Sequence, residues 1–289
     1  MAIEQLRVVP VAENYRLVRS LLSAQVMRGE LELPVLPEVA ARVVSVSASA
    51  EADAPSLARI ITGDQALAAH VMRVATSAAY QPRSPIESLQ HAISWLGMAE
   101  VSDIAFTVAV QGKLMNVPGQ KNKVMRMWKS AVATGLWASA VAEHTRHAGE
   151  ACYLSGLLHE IGKPVCLQAA SEIARRSASP LIESELDSLI AEFHVEVGSQ
   201  LAVAWKLPVS VATTIRWWRE WANAPERKDE CAIVYLAHHL AGHMLEGTGS
   251  LAAGALAQDP VAEHLGLSLA EVLALCAQAD HVQALVDNF

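Results

Sequence analysis

The sequence predicts an all-α fold. Apolar residues recur at intervals of three and four along most of the chain, the spacing that gives a helix one buried face. Alternating apolar and polar residues are almost absent, and the Asn-Gly and Asp-Gly pairs of tight hairpins do not occur. Charged residues make up only 18% of the 289 residues, against roughly 25% in ordinary globular proteins, so much of the helix surface is expected to be buried.

Two helices in the N-terminal half are predicted from their capping residues. Asp64 is a favourable N-cap, because its carboxylate can accept from free N–H groups of a first turn. Ser84-Pro85-Ile86-Glu87 has the capping-box pattern with proline at the first helical position, so a helix is predicted from there to Gly97. The two apolar faces are predicted to be formed by Leu67, Val71, Val74 and Ala78, and by Ile86, Leu89, Ile93 and Leu96.

A longer predicted helix is apolar all round, which indicates a central position in the fold. One face of this helix carries Trp128, Val132, Leu136 and Ala140. The opposite face carries Thr134, Trp137 and Val141. The stretch 116–123 before it contains Pro118-Gly119 and is the clearest internal break. Its basic residues, with Arg126 and Lys129, are interpreted as a solvated linker, with a patch for a phosphate-bearing ligand as the alternative.

The sequence Gly156-Leu157-Leu158-His159-Glu160-Ile161-Gly162-Lys163 carries the strongest functional signal. Apolar residues precede it, so it predicts a buried helix with His159 and Glu160 in its last turn, ended by Gly162 and Pro164. An unpaired buried carboxylate is unfavourable, so Glu160 requires a cation, a basic partner, a proton or a route to solvent. Gly156 is predicted to lie at a close helix crossing, since glycine inside a helix otherwise costs about 1 kcal/mol relative to alanine.

Composition argues against two classes of partner. The net charge is −8, whereas binding to nucleic acid or to anionic lipid depends on clusters of lysine and arginine. The apolar run 130–142 has 13 residues and a membrane-spanning helix needs about 20. No signal-peptide pattern begins the sequence, and the four cysteines are scattered, as in a reducing compartment; a cytoplasmic location is therefore predicted.

The octapeptide ending at Lys163 resembles the GLLHDIGK signature of the HD superfamily, with Glu160 in place of the aspartate. Further motifs, in the same order as in that family, resemble the HDOD (HD-related output domain) branch: Leu33-Pro34-Val35-Leu36-Pro37, residues 64–78, Ala92-Ile93-Ser94-Trp95-Leu96-Gly97, His194-Val195-Glu196-Val197-Gly198 and Trp205-Lys206-Leu207-Pro208. The resemblance implies an HDOD domain over 30–245. This domain divides into a lobe of roughly five helices (30–115) packed on an HD-like lobe (124–245). A helical extension (1–29) precedes the domain and a helical tail (246–289) follows it.

The resemblance also implies which positions would hold metal in a working HD phosphohydrolase. An earlier histidine would stand at Ser130, the His-Asp pair at His159 and Glu160, and a later aspartate at His238. The additional His-His of related HD-GYP proteins corresponds to Trp217-Trp218. Serine is a poor ligand for catalytic divalent metals and tryptophan offers no ligand atom, so these residues are expected to form a degenerate pocket.

Two interpretations of that pocket stay open. His159, Glu160 and His238, with His194, have the nitrogen and oxygen donors that suit zinc or another divalent metal. Alternatively, the histidines are hydrogen-bonded core residues with Glu160 as their partner, and no cofactor is needed. This second interpretation is preferred.

Two aromatic or histidine-rich groups lie further along the chain. His239 and His243 are one helical turn apart, but the sequence supplies no third ligand, so they are interpreted as polar residues of an amphipathic helix. Trp217, Trp218 and Trp221 alternate with Arg216 and Arg219. They are expected either to pack in the core or to present a ligand-binding or partner-binding surface.

Three functions follow as hypotheses. The preferred one is a non-enzymatic module of bacterial signal transduction that acts through protein contacts. The second is a metal-dependent phosphohydrolase of nucleotides or cyclic dinucleotides with a rearranged ligand set. The third is a sensor whose pocket binds a small anion. The first predicts no appreciable phosphodiesterase activity, with Glu160 held by a basic neighbour such as His159, His194 or His238.

Overall fold

The structure is a computed structural model, which describes residues 11–47, 53–82, 85–145 and 152–289. Within these ranges it has sixteen α-helices and two short 3₁₀ segments, and it has no β-strand. The all-α prediction is therefore confirmed. A single cluster of buried apolar side chains runs through the lobes and the tail.

The N-terminal lobe consists of five helices, as predicted. The longest of them, α6, packs against the other four and brings them into one bundle. Their bounds are α2 (Glu38–Ser47), α3 (Ala54–Thr62), α4 (Gln65–Ala75), α5 (Leu89–Leu96) and α6 (Met98–Leu114), with a 3₁₀ turn at Ala78–Tyr80 between α4 and α5.

One predicted cap in this lobe is confirmed and the other is wrong. The Asp64 carboxylate accepts from the N–H of Leu67 at 3.0 Å and begins α4. The next helix begins at Leu89, where the Ser88 hydroxyl accepts from the N–H of His91 at 3.1 Å. Ser88 therefore supplies the cap that was assigned to Ser84, which lies outside the described residues.

The HD-like lobe is built around the 24-residue helix α7, which confirms its predicted central position. Its helices are α7 (Lys121–His144), α8 (Cys152–Leu158), α9 (Gly162–Arg176), α10 (Glu183–Ala204), α11 (Val209–Trp217) and α12 (Lys228–Leu245), with a 3₁₀ segment at Trp218–Asn223. The linker interpretation of the basic residues is wrong, because α7 already begins at Lys121. Lys123 is buried there and forms ion pairs with Glu183 and Asp187 of α10.

The His159-Glu160 pair lies between two helices, which corrects the predicted helix end. Helix α8 ends at Leu158, a turn follows, and Gly162 begins α9. Pro164 is in the first turn of α9, where no backbone N–H is needed for helical bonding. Glu160 consequently precedes a helix N-terminus, whose partial positive charge favours a carboxylate.

Gly156 lies at a close crossing of α8 and α7, as predicted. A Cβ atom there would be 2.6 Å from the Thr134 carbonyl oxygen and 2.8 Å from the Cα of Gly135. We expect Gly156→Leu to lower the free energy of unfolding by a few kcal/mol, because the added side chain must force the two helices apart. Urea denaturation of the variant measures the change; an unaltered unfolding midpoint would contradict the assignment of Gly156 to the crossing.

The two ends of the chain pack on the lobes. Helix α1 (Val11–Arg28) lies against α9 and α10 of the HD-like lobe. The tail has four short helices, of which α16 contacts both α7 and the 3₁₀ turn of the N-terminal lobe: α13 (Gly249–Ala257), α14 (Pro260–His264), α15 (Leu269–Cys276) and α16 (Ala279–Val286).

The tail contains one stretch that is long and apolar enough to cross a membrane by composition alone, Leu269–Val286. The structure divides this stretch into α15 and α16, and residues of both helices are buried against the rest of the protein: Val272, Leu275, Val282, Leu285 and Val286. The stretch as a whole is 28% buried, and Leu269 and Leu273 are 53% and 50% exposed.

Candidate functional site

The turn between α8 and α9 places His159 and Glu160 against α12 and the 3₁₀ segment at Trp218–Asn223. His159 is 1% exposed, and its Nδ1 lies 2.6 Å from the carbonyl oxygen of Gly156. Its Nε2 lies 2.9 Å from Nδ1 of His238, on α12. The structure thus brings together two of the three histidines that the sequence assigns to this pocket, His159 and His238.

The carbonyl of Gly156 determines which ring nitrogens carry protons. A carbonyl oxygen can only accept, so Nδ1 of His159 donates to it and the neutral ring has a lone pair at Nε2. Nδ1 of His238 must then donate to that lone pair. Burial lowers the pKa of His159 to about 4, and burial together with His159 lowers that of His238 to about 3. Both rings are therefore neutral near pH 7.

Glu160 is neutralised by two basic side chains of the same protein. Lys163, one helical turn further on, forms an ion pair with Oε2, and Arg219 donates to Oε1 at 2.8 Å. Burial alone would raise the pKa of the Glu160 carboxyl, but His159 and Lys163 beside it lower the pKa to about 2. The expectation of a basic partner is correct, although neither of these two cations was named in advance.

Trp218 fills the space on the other side of the two histidines. Its ring centroid lies 4.9 Å from that of His159 and 4.4 Å from that of His238. The guanidinium of Arg219 covers the same indole at 4.9 Å, a cation–π contact that also positions Arg219 for Glu160. The aromatic residue therefore closes the pocket with a bulky apolar ring.

The hydrogen bonds and ring contacts of the other predicted site residues are made with groups outside this cluster. His194 is buried on α10, where its Nδ1 donates to the carbonyl of Ile190 at 2.8 Å; its Nε2 has no partner among the described residues. Trp217 is half-buried with the guanidinium of Arg216 5.9 Å from its ring centroid. Ser130 is half-buried on α7, and the hydrogen bonds of the cluster do not include its hydroxyl.

A cavity of about 20 Å³, enough for one water molecule, lies beside Glu160. It is enclosed by side chains of α7, the α8–α9 turn and the loop after α6: Met115, Met127, Trp128, Leu157 and Lys163. The Nε1 atom of Trp128 is buried without a hydrogen-bond partner in the described part of the chain.

The fit of a metal to these residues can be tested by distance. Possible ligand atoms of His159, Glu160 and His238 all lie within 4.8 Å of one another, the single such group that the described residues contain. Two nitrogens bound to one tetrahedral zinc would be roughly 3.3 Å apart with no proton between them. The observed 2.9 Å is a hydrogen bond, so a metal would have to displace it and at least one cation of Glu160.

Lys163 and Arg219 are the members of the site that sequence reasoning missed. Lys163 stands three residues after Glu160, the spacing of neighbours on a helix, and that signal was available. Arg219 is 59 residues from Glu160, and only the folded chain shows that it reaches the carboxylate.

Comparison with known proteins identifies the family. The sequence model of the HDOD domain matches residues 33–220. A protein of Treponema pallidum (strain Nichols), named only as uncharacterized, is 24% identical over 206 residues; the match covers 68% of this chain but 39% of that protein. This chain therefore corresponds to less than half the length of that relative.

Three solved structures with the same fold have 22% or 23% sequence identity to this chain. An HDOD domain protein with unknown function from Geobacter sulfurreducens has a TM-score of 0.72 at 22% identity, over 96% of this chain and 99% of that one. A proposed metal-dependent phosphohydrolase from Shewanella amazonensis SB2B has a TM-score of 0.71 at 22% identity, with the same coverage. A proposed signal transduction protein from Marinobacter aquaeolei VT8 has 0.68 at 23%, over 100% of this chain and 69% of that one. The fold and the family model agree, and the chain belongs to the HDOD domain family.

Proposed function

We propose that this chain is a non-enzymatic regulatory module of bacterial signal transduction, located in the cytoplasm and acting through contacts with other proteins. The observation that carries the proposal is the state of Glu160. Both of its oxygens are ion-paired with cations of the same chain, Lys163 and Arg219. The positive charge that a metal would supply in a hydrolase is thus supplied by side chains.

The histidines support the same proposal. A hydrolytic metal centre must bind its metal firmly and keep a coordination position open for water. Here Nε2 of His159 is engaged by His238, and the indole of Trp218 lies against both rings. A cluster satisfied internally in this way stabilises the turn between α8 and α9, and a metal on Nε2 of His159 would have to break the hydrogen bond to His238.

Surface charge and family membership support the choice of partner. HDOD membership and the likeness to a proposed signal transduction protein favour a regulatory role. The net charge of −8 disfavours nucleic acid and anionic membranes, which leaves proteins as the expected partners.

The test is an assay of the untagged protein for bound metal and for turnover. We expect elemental analysis to find substoichiometric zinc, manganese and iron. We also expect no phosphodiesterase activity on a nitrophenyl phosphodiester or on cyclic dinucleotides, with Mn²⁺, Mg²⁺ or Zn²⁺ added. Glu160→Gln should change stability without changing any rate, because it removes the charge that Lys163 and Arg219 neutralise.

The runner-up is a metal-dependent phosphohydrolase, which the proximity of His159, Glu160 and His238 favours. It predicts turnover that requires added metal and disappears in both Glu160→Gln and His159→Ala. Lys163→Met is a useful companion variant, because removing the competing cation should then increase metal affinity. Metal-dependent turnover with these properties would overturn the non-enzymatic proposal.

A third function, a sensor of small anions, is favoured by the partial exposure of Lys163 and Arg219. An anion that competes with Glu160 for these two cations should raise the melting temperature of the protein. Phosphate and acetate, compared with chloride at equal ionic strength, are the probes. An equal melting temperature in all three salts would exclude this sensor.

A further inference from the structure

The N-terminal lobe has an open groove of about 690 Å³, separate from the cavity beside Glu160. It runs between the first turns of α2 and α4 on one side and the C-terminal half of α6 on the other. Its apolar surface is contributed by Val39, Leu67, Val108, Ala109 and Met115. The volume falls within the range of roughly 300 to 1,000 Å³ that is typical of ligand sites.

One end of this groove already binds peptide backbone. The side-chain amide of Gln111, which lines the groove, donates to the carbonyl oxygen of Phe289 at 2.7 Å. Gln111 is therefore positioned to recognise a main-chain oxygen.

The charge of the groove determines which side chains an occupant can place in it. Glu38, at the start of α2, and Asp64, at the start of α4, are the ionisable carboxylates on its rim. No lysine or arginine is among the described residues that line it. A cationic side chain is therefore favoured over an anionic one, and the amide of Asn116 adds a further donor and acceptor.

Met115 connects the groove to the site in the HD-like lobe. Its side chain lines both the groove and the cavity beside Glu160. Helix α6 ends at Leu114 and α7 begins at Lys121, so Met115 belongs to the connection between the lobes. An occupant that moves Met115 would therefore alter the packing next to Glu160.

We propose that this groove binds a segment of a partner protein in which a lysine or arginine stands between apolar side chains. The main chain of the segment is bound by Asn116, its cation lies toward Glu38 and Asp64, and its apolar side chains cover the exposed face of α6. The inference rests on the proposed function, since it assigns a surface to the protein contacts proposed there.

The test uses the full chain and two short fluorescent peptides, one alternating leucine with arginine and one alternating leucine with glutamate. We expect fluorescence anisotropy to show saturable binding of the arginine peptide alone. Gly112 lines the groove, and a Cβ added to it meets nothing within 4 Å, so substitutions there leave the helix unstrained. Gly112→Trp should weaken binding roughly tenfold or more by filling the groove, whereas Gly112→Ala should bind as the parent does.

A second pair of variants tests the charge. Glu38→Gln should weaken the arginine peptide several-fold, while Glu32→Gln, an exposed carboxylate outside the groove, should have no effect. Equal affinity in Gly112→Trp and Gly112→Ala, or equal binding of the glutamate peptide, would overturn the proposal. Peptide binding in a protein that also shows metal-dependent turnover would refute the non-enzymatic function and leave the groove assignment standing.

Discussion

Gly162→Ala is expected to cause the largest loss of stability of any alanine substitution at the glycines that the structure describes. A Cβ atom on Gly162 would lie 1.9 Å from the carbonyl oxygen of His194 and 2.6 Å from the backbone nitrogen of Gly198. Both obstacles are main-chain atoms of α10, which cannot move aside as a flexible side chain would. The two helices must therefore separate, and we expect a loss of about 3 kcal/mol or more.

The matched control is Gly242→Ala on α12, in the same lobe. A Cβ at Gly242 meets nothing within 4 Å, so this variant should be as stable as the parent or gain up to about 1 kcal/mol from helix propensity. Urea denaturation followed by circular dichroism measures both. Equal unfolding midpoints for the two variants would show that the contact between α9 and α10 is not as close as described.

Gly162 also shows where sequence reasoning was limited. Gly-Lys-Pro after an apolar helix is typical of a helix end, and the same residues are equally suited to a helix start, with proline in the first turn. The sequence favours neither. The fold decides, because only glycine permits the approach of α9 to α10 that the structure shows.

Features that depend on local pattern were predicted correctly. The N-cap at Asp64, the central position of α7 and the close approach at Gly156 each follow from spacing, composition or the cost of glycine. The capping box at Ser84 was wrong because two serines, four residues apart, are both competent caps. The burial of Ile86, Leu89 and Ile93 does not distinguish between them.

The candidate site was predicted in part of its residues and not in its contacts. The sequence placed seven residues in one pocket: Ser130, His159, Glu160, His194, Trp217, Trp218 and His238. The structure brings His159, Glu160, Trp218 and His238 together. The hydrogen bonds and ring contacts that it shows for the other three are made with other groups. The partners of the site residues could not be inferred, because a sequence does not show which of 22 basic residues will reach a given carboxylate. The hydrogen bond between His159 and His238 likewise spans 79 residues.

The second large effect is expected in the pH dependence of stability. His159 and His238 have folded-state pKa values of about 4 and about 3, lowered mainly by burial from 6.5. A depressed pKa means that the unfolded chain binds the proton more readily. The stabilisation by the neutral rings is therefore complete above about pH 6.5, and falls as the pH drops toward 4. For each histidine that stays neutral in the folded protein, the free energy of unfolding falls by about 1.4 kcal/mol for every pH unit in this window.

Other groups titrate over part of the same range and must be separated from the pair. Glu160 contributes little above about pH 4.5, because its pKa of about 2 keeps it ionised in the folded protein and its loss occurs at lower pH. Burial raises the pKa values of Glu100 and Asp103, an effect of the opposite sign. Burial also lowers that of His194. A variant of one member of the pair still contains these other groups. Their contributions therefore cancel when the variant is compared with the parent protein.

His238→Gln is that variant, since the amide of glutamine can still donate to Nε2 of His159 but does not titrate. We expect the free energy of unfolding of the parent protein to fall more steeply between pH 6.5 and 4.5 than that of His238→Gln. The difference should approach the slope of one neutral histidine. His91→Gln on α5, outside the cluster, is the control for replacing a histidine elsewhere in the protein. Parallel curves for the parent and His238→Gln would mean that His238 is as easily protonated in the folded protein as in the unfolded chain. The neutral hydrogen-bonded pair at the centre of the proposed non-enzymatic site would then be wrong.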